Sequence, residues 1–223
     1  MKPLYFARSL GRLAFASEIP PLLALPGVGR RAYPSALADY LARAVNYHPG
    51  RTLFADVSEL PGAHLAEISL DDPTRVEPVR YWRPPEGLRH DLSLADAVAG
   101  VRERLERSVR LHLRSDVPVG VLLSGGQDSS AITALARHVL GSDAALHTFS
   151  FRGGGEAFDE GPFIDAARAA TGAIGHEVSI GPDDWAHGLP ALVAAQGEPF
   201  GSPVIFAQRK LFEAAAAKGV RVV

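Results

Sequence analysis

The residues whose types and spacing could do chemistry lie in Val119-Gly120-Val121-Leu122-Leu123-Ser124-Gly125-Gly126-Gln127-Asp128-Ser129-Ser130. Here an apolar run ends in Ser-Gly-Gly and passes into a polar helix start. Gly125 and Gly126 let the backbone turn sharply and present bare N–H groups. A helix beginning just after them adds its own unpaired N–H groups and the positive end of its dipole. Together they make a nest for an anion, best a phosphate or pyrophosphate. The hydroxyls of Ser124, Ser129 and Ser130 supply further donors. No lysine follows the glycines, so this is not the lysine-bearing phosphate loop of many nucleotide hydrolases. Asp128 would repel the anion unless a cation lay between them, and a Mg2+ bridging Asp128 to phosphate oxygens meets that need. A turn whose Asp and Ser only cap the helix would explain a lone Gly-Gly. It fits the whole S-G-G-x-D-S-S pattern between an apolar strand and a helix much less well.

The elements that must position this loop alternate along the chain. Apolar strands are predicted over residues 117–123, 146–151 and 174–180, with helices over 129–140, 159–171, from Asp183-Asp184 onward, and over 204–218. Short strands alternating with helices predict an α/β fold with a doubly wound parallel sheet. Ligands of such sheets bind beyond the carboxyl ends of the strands, where the loop lies. A helix over 93–114 precedes them, with Leu94, Ala97, Val98, Val101, Leu105, Val109 and Leu113 forming one stripe. Upstream, residues 3–7 and 13–16 read as a hairpin, 17–25 and 34–44 as short helices, and 64–70 and 76–82 as strands. The two prolines and glycine of Arg83-Pro84-Pro85-Glu86-Gly87 fit neither helix nor strand. The chain therefore divides into residues 1–82, a linker at 83–92, and residues 93–223. Val220 to Val223 reads as a buried strand with nothing after it, so the chain reads as an internal fragment.

Composition narrows the function classes. Of 223 residues, 47% are hydrophobic and 22% charged, an ordinary globular balance that excludes wholesale disorder. Lys and Arg number 23 against 25 Asp and Glu, so no strongly basic nucleic-acid binder is indicated. Cysteine is absent, which excludes a disulfide scaffold, a thiolate metal site and a cysteine nucleophile within these residues. No signal-peptide core and no apolar run of ~20 residues occur, so a cytoplasmic setting without a membrane is expected. Gly27-Val28-Gly29-Arg30-Arg31-Ala32 mimics a dinucleotide fingerprint, but it follows Pro26 and no strand, and reads as a surface turn. The eight histidines show no metal spacing. Asp159-Glu160 and Asp183-Asp184 stand at helix starts and read as caps.

Taken in order, these pieces resemble a known family. SGGQDSS is similar to the pyrophosphate loop of the N-type ATP pyrophosphatases, specifically the synthetase domain of glutamine-hydrolysing asparagine synthetases. The resemblance spans nearly the whole chain. Residues 1–18 resemble the KPLYY…FASE end of that family's glutaminase domain. Thr52-Leu53-Phe54 with Leu60-Pro61-Gly62-Ala63-His64 resembles its TLF…LPPGH stretch, and Tyr81-Trp82 its YW before the junction. Phe158-Asp159-Glu160 and Glu198-Pro199-Phe200-Gly201-Ser202 match bacterial members. The fold so implied is an adenine-nucleotide alpha-hydrolase-like PP-loop domain, preceded by an incomplete α+β N-terminal-nucleophile glutaminase-type domain. The activity implied is ATP-dependent amide synthesis: a carboxylate, classically the aspartate side chain, is adenylated, and glutamine-derived ammonia attacks the acyl-adenylate. Ser124, Gly125, Gly126, Gln127, Asp128, Ser129 and Ser130 would hold pyrophosphate, with Asp128 also a Mg2+ ligand. Leu122 and Leu123 would flank the nucleotide, and Ser150 and Phe151 would lie against adenine. ATP and Mg2+ are the implied cofactors. The implied partners are aspartate or another carboxylate and glutamine or ammonia, with a homodimer of the full-length protein also compatible.

This sequence departs from the family pattern in several places. The family's cysteine nucleophile, its glutamine-binding residues, its SGEGxDE loop and a later lysine have no counterpart here, so no catalytic residue is assigned within the chain. Gln127 stands where Leu is usual, and Gly197 where Asp is frequent. A β-lactam synthetase or a macrolactam-forming peptide cyclase would share the adenylation chemistry. A non-catalytic nucleotide-binding remnant or regulatory partner is the reading from another class.

Overall fold

The computed structural model describes residues 2–45, 47–87, 91–153 and 160–223. Met1, Asn46, linker residues 88–90, Gly154-Gly155 and Phe158-Asp159 lie outside the described residues. The chain forms two compact units, residues 1–87 with 189–202, and residues 88–188 with 203–223.

In the first unit, β1 (Tyr5–Ser9) and β2 (Arg12–Ala16) pair antiparallel with Ser9 opposite Arg12. The two residues between them, Leu10 and Gly11, both have positive φ (51° and 71°). That is the backbone of a type I′ turn, whose twist suits a hairpin. Two short helices follow, α1 (Ile19–Leu23) and α2 (Pro34–Arg43), each with proline in its first turn. β3 (Val57–Glu59) then pairs with the other edge of β1, giving the order β2-β1-β3. Ala7, Ile19, Leu22, Val28 and Val57 form the core beneath this sheet. The strands predicted over 64–70 and 76–82 shrink to one antiparallel pair of two-residue strands, β4 (His64–Leu65) and β5 (Val79–Arg80). Pro73 and Pro78 offer no ladder N–H between them, which keeps the pairing short. The Glu198 carboxylate accepts the Leu53 N–H, and burial holds the carboxyls of both Glu59 and Glu198 above their ordinary range.

The second unit opens with α3 (Leu94–His112), capped by the Ser93 hydroxyl accepting the Asp96 N–H at 3.1 Å. Its apolar stripe is buried only near the end, where Val109 packs with Ala136 and Leu146; Leu94, Val98 and Val101 are exposed. After it come β6 (Gly120–Leu122), α4 (Gln127–Leu140), β7 (His147–Phe151), α5 (Gly161–Thr171), β8 (Ile174–Val178), α6 (Pro182–Gln196), of which only the part up to Gly188 belongs to this unit, and α7 (Val204–Ala217). The three strands are parallel in the order β6-β7-β8. Alternate strand residues face opposite sides. Val121 joins the cluster that contains Ala136 of α4, whereas Leu122 and Phe149 join the one that contains Ala215 of α7. Helices thus cover both faces, and the sheet is doubly wound. The strand predicted over 220–223 amounts to one parallel bridge, Val119 to Val222, on the free edge of β6. Val220 is buried against Phe149, but Val222 and Val223 are exposed. No helix among the described residues is long and apolar enough to cross a membrane.

Candidate functional site

The end of β6 passes directly into the Ser-Gly-Gly turn. Gly125 has φ 82°, and a Cβ there would lie 3.0 Å from Ile164 N, 3.0 Å from Phe163 Cβ and 3.1 Å from Glu160 O. Only glycine lets the turn both adopt this conformation and rest on the first turn of α5. Gly126 is the N-cap of α4, with φ −65° and no side chain to cap the helix. The first intrahelical bond runs from Ser130 N to Gly126 O at 3.0 Å. The N–H groups of Gln127, Asp128 and Ser129 therefore lack an intrahelical partner, as the first turn of any α-helix must.

The serines brace the loop from within. The Ser129 hydroxyl donates to Gly126 O at 3.1 Å and accepts the Ser124 N–H at 3.2 Å. The Ser124 and Ser129 hydroxyl oxygens are 3.0 Å apart, and the Ser124 hydroxyl accepts the Gly126 N–H at 3.3 Å. One turn on, the Thr133 hydroxyl donates to Ser129 O at 2.7 Å. The outcome is a pre-shaped loop whose free N–H groups and α4 dipole both favour an anion. Asp128 lies exposed in that first turn and, among the described residues, has no ion-pair partner. No group of three or more His, Cys, Asp or Glu among the described residues is placed to hold a metal. A cation here would be held by Asp128 and by the oxygens of the anion itself, which suits Mg2+.

Beside the loop lies a cavity of about 560 Å³ within the second unit, of a size that takes a drug-sized ligand. Leu122, Leu123 and Ser124 form its end at the loop, and Phe149, Phe151, Ile180 and Trp185 one wall. Val204, Ala207, Gln208 and Leu211 of α7 form another, with Glu160 at the rim. Trp185 is stacked on Phe206, ring centroids 4.4 Å apart. Behind the cavity, His147 Nδ1 and His176 Nε2 are 2.9 Å apart. The rings are within 11° of parallel and their centroids 5.2 Å apart, about the nitrogen separation plus the two ring radii. The imidazoles therefore meet end to end, the nitrogen of one ring hydrogen-bonded to that of the other. His176 also stacks on Phe149 at 4.8 Å.

Burial, then the neighbouring His147, Lys218 and Arg168, holds the His176 imidazolium below its ordinary range. In the unfolded chain the ring takes its proton near pH ~6.5. The folded state keeps it neutral, so the stability tied to this group is full above that pH and falls as pH drops below it. Thermal unfolding between about pH 7 and pH 5 should therefore decline less steeply in His176→Gln, which keeps a hydrogen-bonding group and removes the titration. Equal slopes in the two proteins would remove His176 as the cause. A second electrostatic brace holds the strand ends: Glu177 pairs with Arg152 at 2.9 Å and with Arg168, and Arg152 also pairs with Asp165. The Glu177 carboxyl is held below its usual range by these hydrogen bonds, that from Arg152 first.

Of the residues singled out in the sequence, Leu122, Leu123, Ser124 and Phe151 line the cavity, and residues 125–130 form the turn and first helical turn next to it. Ser150 is placed differently. Alternation along β7 turns it away from Phe149 and Phe151, and its buried hydroxyl has no hydrogen-bond partner among the described residues. Asp184 caps α6 as its position predicts, its carboxylate accepting the Gly181 N–H at 3.0 Å. The α7 wall was not anticipated, although Val204, Ala207, Gln208 and Leu211 recur at helical spacing. Neither was Trp185, which no motif marks.

Comparison with known proteins adds a family context. Residues 100–223 match the family model described as asparagine synthase, and residues 1–82 the one described as glutamine amidotransferase domain. Asparagine synthetase (glutamine-hydrolyzing) 3 of Bacillus subtilis is 32% identical over 211 residues, covering 89% of this chain and 34% of that protein. Asparagine synthetase (glutamine-hydrolyzing) 2 of the same organism is 34% identical over 159 residues, covering 67% of this chain and 21% of that protein. The chain thus spans about a third or less of the length of these relatives. An NH3-dependent NAD synthetase from Campylobacter jejuni superposes with TM-score 0.38 at 15% identity over 56% of this chain and 54% of that one, too weakly to argue from.

Proposed function

The chain belongs to the asparagine synthase family, and from that membership we propose that its second unit is the ATP-binding part of an ATP-dependent amide ligase of the asparagine synthetase (glutamine-hydrolysing) type. The observation that carries the reading is the Ser124–Ser130 loop, an anion nest at a strand end beside a cavity of about 560 Å³. The free N–H groups of residues 127–129 and the Ser124 and Ser130 hydroxyls would hold the pyrophosphate portion of ATP, with Ser129, whose proton goes to Gly126 O, bracing the loop and offering the anion only its N–H. The apolar cavity beside them would take the nucleoside, flanked by Leu122, Leu123 and Phe151, with the strand backbone at Ser150 against adenine. Asp128 would hold Mg2+, which supplies positive charge to offset that of the phosphates.

In the reaction so proposed, a carboxylate oxygen of aspartate attacks the α-phosphorus and the bond to pyrophosphate breaks. Ammonia then attacks the acyl carbon, and AMP leaves with the electron pair. This chain's part is to bind and orient pyrophosphate so that it departs into waiting donors. Residues 1–82 would be the later part of a glutaminase domain that provides ammonia from glutamine. Residues 83–92 would link it to a synthetase domain from residue 93 on. The test is exchange of labelled pyrophosphate into ATP by the full-length protein that carries these residues. Exchange that depends on aspartate is the expected result. Exchange driven only by another carboxylate would move the reading to a β-lactam synthetase or peptide cyclase. Nucleotide binding without exchange under any carboxylate would leave a non-catalytic nucleotide binder.

A further inference from the structure

A smaller cavity, of about 200 Å³, is lined entirely by residues of the first unit. It lies below the size of sites for drug-sized ligands, about 300–1,000 Å³, so its occupant is small. Its inner wall is acidic. Tyr5 and Glu59 stand opposite each other on β1 and β3, so their side chains share one face of the sheet. Glu198 reaches the same cavity from the segment after α6, fixed there by accepting the Leu53 N–H. These three are half-buried, whereas Tyr47, Arg51 and Gln196 are exposed and form the mouth. Burial first, then the charge of Glu198, holds the Glu59 carboxyl above its ordinary range. Yet among the described residues Glu59 has no hydrogen bond or ion pair, and no cation meets Glu198. Arg51 lies over the Tyr33 ring, 5.3 Å from its centroid, with no carboxylate partner among the described residues.

Two carboxyls that face one space without a cation call for positive charge between them. The unpaired guanidinium at the mouth calls for a negative charge at the other end. We infer that this cavity is a binding site for a small α-amino acid, its ammonium held by Glu59 and Glu198 and its carboxylate by Arg51. The remaining polar side chains, Tyr5, Tyr47 and Gln196, are neutral hydrogen-bonding groups. The side chain of the amino acid is therefore uncharged and polar, on the scale of asparagine or glutamine. That of aspartate would bring a second carboxylate beside Glu59 and Glu198 with no cation to meet it. The site is independent of the ATP-binding reading. It is also distinct from the family's glutamine-binding residues, which have no counterpart in this chain.

Isothermal titration of the 223-residue protein with asparagine, aspartate and N-acetylasparagine tests the inference. Asparagine should bind. N-acetylasparagine, which lacks the ammonium, should bind about tenfold or more weakly, the scale of one hydrogen bond to a charged group. Glu59→Gln and Arg51→Met should each weaken asparagine by about tenfold or more, and far-UV circular dichroism checks that both fold. Pyrophosphate binding by the two variants should match the parent's, which separates this result from the ATP-binding reading. Asparagine binding that neither variant weakens would lie elsewhere and overturn the inference. Equal affinity for N-acetylasparagine, or no binding of any of the three, would overturn it as well. Aspartate bound as tightly as asparagine, and weakened by the same variants, would overturn the requirement for an uncharged side chain.

Discussion

Gly125→Val is expected to destabilise the second unit by about 2–4 kcal/mol and to abolish pyrophosphate binding in the protein that remains folded. Two costs add. A non-glycine residue at φ 82° is penalised by roughly 1–2 kcal/mol, and more when it is β-branched. The new Cβ would also sit 3.0 Å from a backbone nitrogen and 3.1 Å from a carbonyl oxygen, and no rotamer change can move either. Relief requires the turn to lift off α5, which tilts the N–H groups of the first α4 turn away from their common focus. Gly126→Ala is the matched comparison. Its φ is −65° and an added Cβ would meet nothing closer than the Ser124 hydroxyl at 3.4 Å. Thermal unfolding by circular dichroism should therefore show a large loss for Gly125→Val and a small one for Gly126→Ala. Equal losses would mean that the contact with α5 does not shape the loop.

Asp128→Asn should change the sign of its effect with the metal. Without Mg2+ the carboxylate repels the bound anion, so the variant should bind pyrophosphate more tightly than the parent. With Mg2+ present the parent gains a cation ligand that the amide replaces poorly, and the variant should bind about tenfold or more weakly, about 1.4 kcal/mol. The unliganded variant should also lose roughly 0.3–1 kcal/mol of stability, because a negative charge in the first turn of α4 favours the helix dipole. The crossing of the two binding curves is the diagnostic feature. A variant weaker than the parent under both conditions would make Asp128 a structural cap rather than a metal ligand.

What could be read in the sequence follows from how local the cause is. The S-G-G-x-D-S-S loop was legible because strand, glycine turn and helix start are adjacent in the chain, and each constrains its own backbone. The hairpin of β1 and β2 was legible for the same reason, through Gly11 and the flanking apolar runs. β3 was not, since Val57-Ser58-Glu59 is too short to show alternation and is a strand only because the edge of β1 accepts it. Strands predicted at 64–70 and 76–82 were overcalled, as the proline at 78 removes a donor that no apolar count registers. The expectation that Ser150 lies at the site with Phe151 separates into two cases: alternation sends their side chains to opposite faces, so any part played by Ser150 must come through its backbone. Trp185 and Gln208 reach the cavity by tertiary packing of α6 and α7 onto the sheet, which local pattern does not encode.

The most direct test of the central claim is isothermal titration of the 223-residue protein with pyrophosphate, with and without Mg2+. The account predicts one binding site, tighter in the presence of Mg2+ and lost in Gly125→Val. Absence of binding in both conditions, or binding that Gly125→Val retains at the parent's affinity, would contradict it.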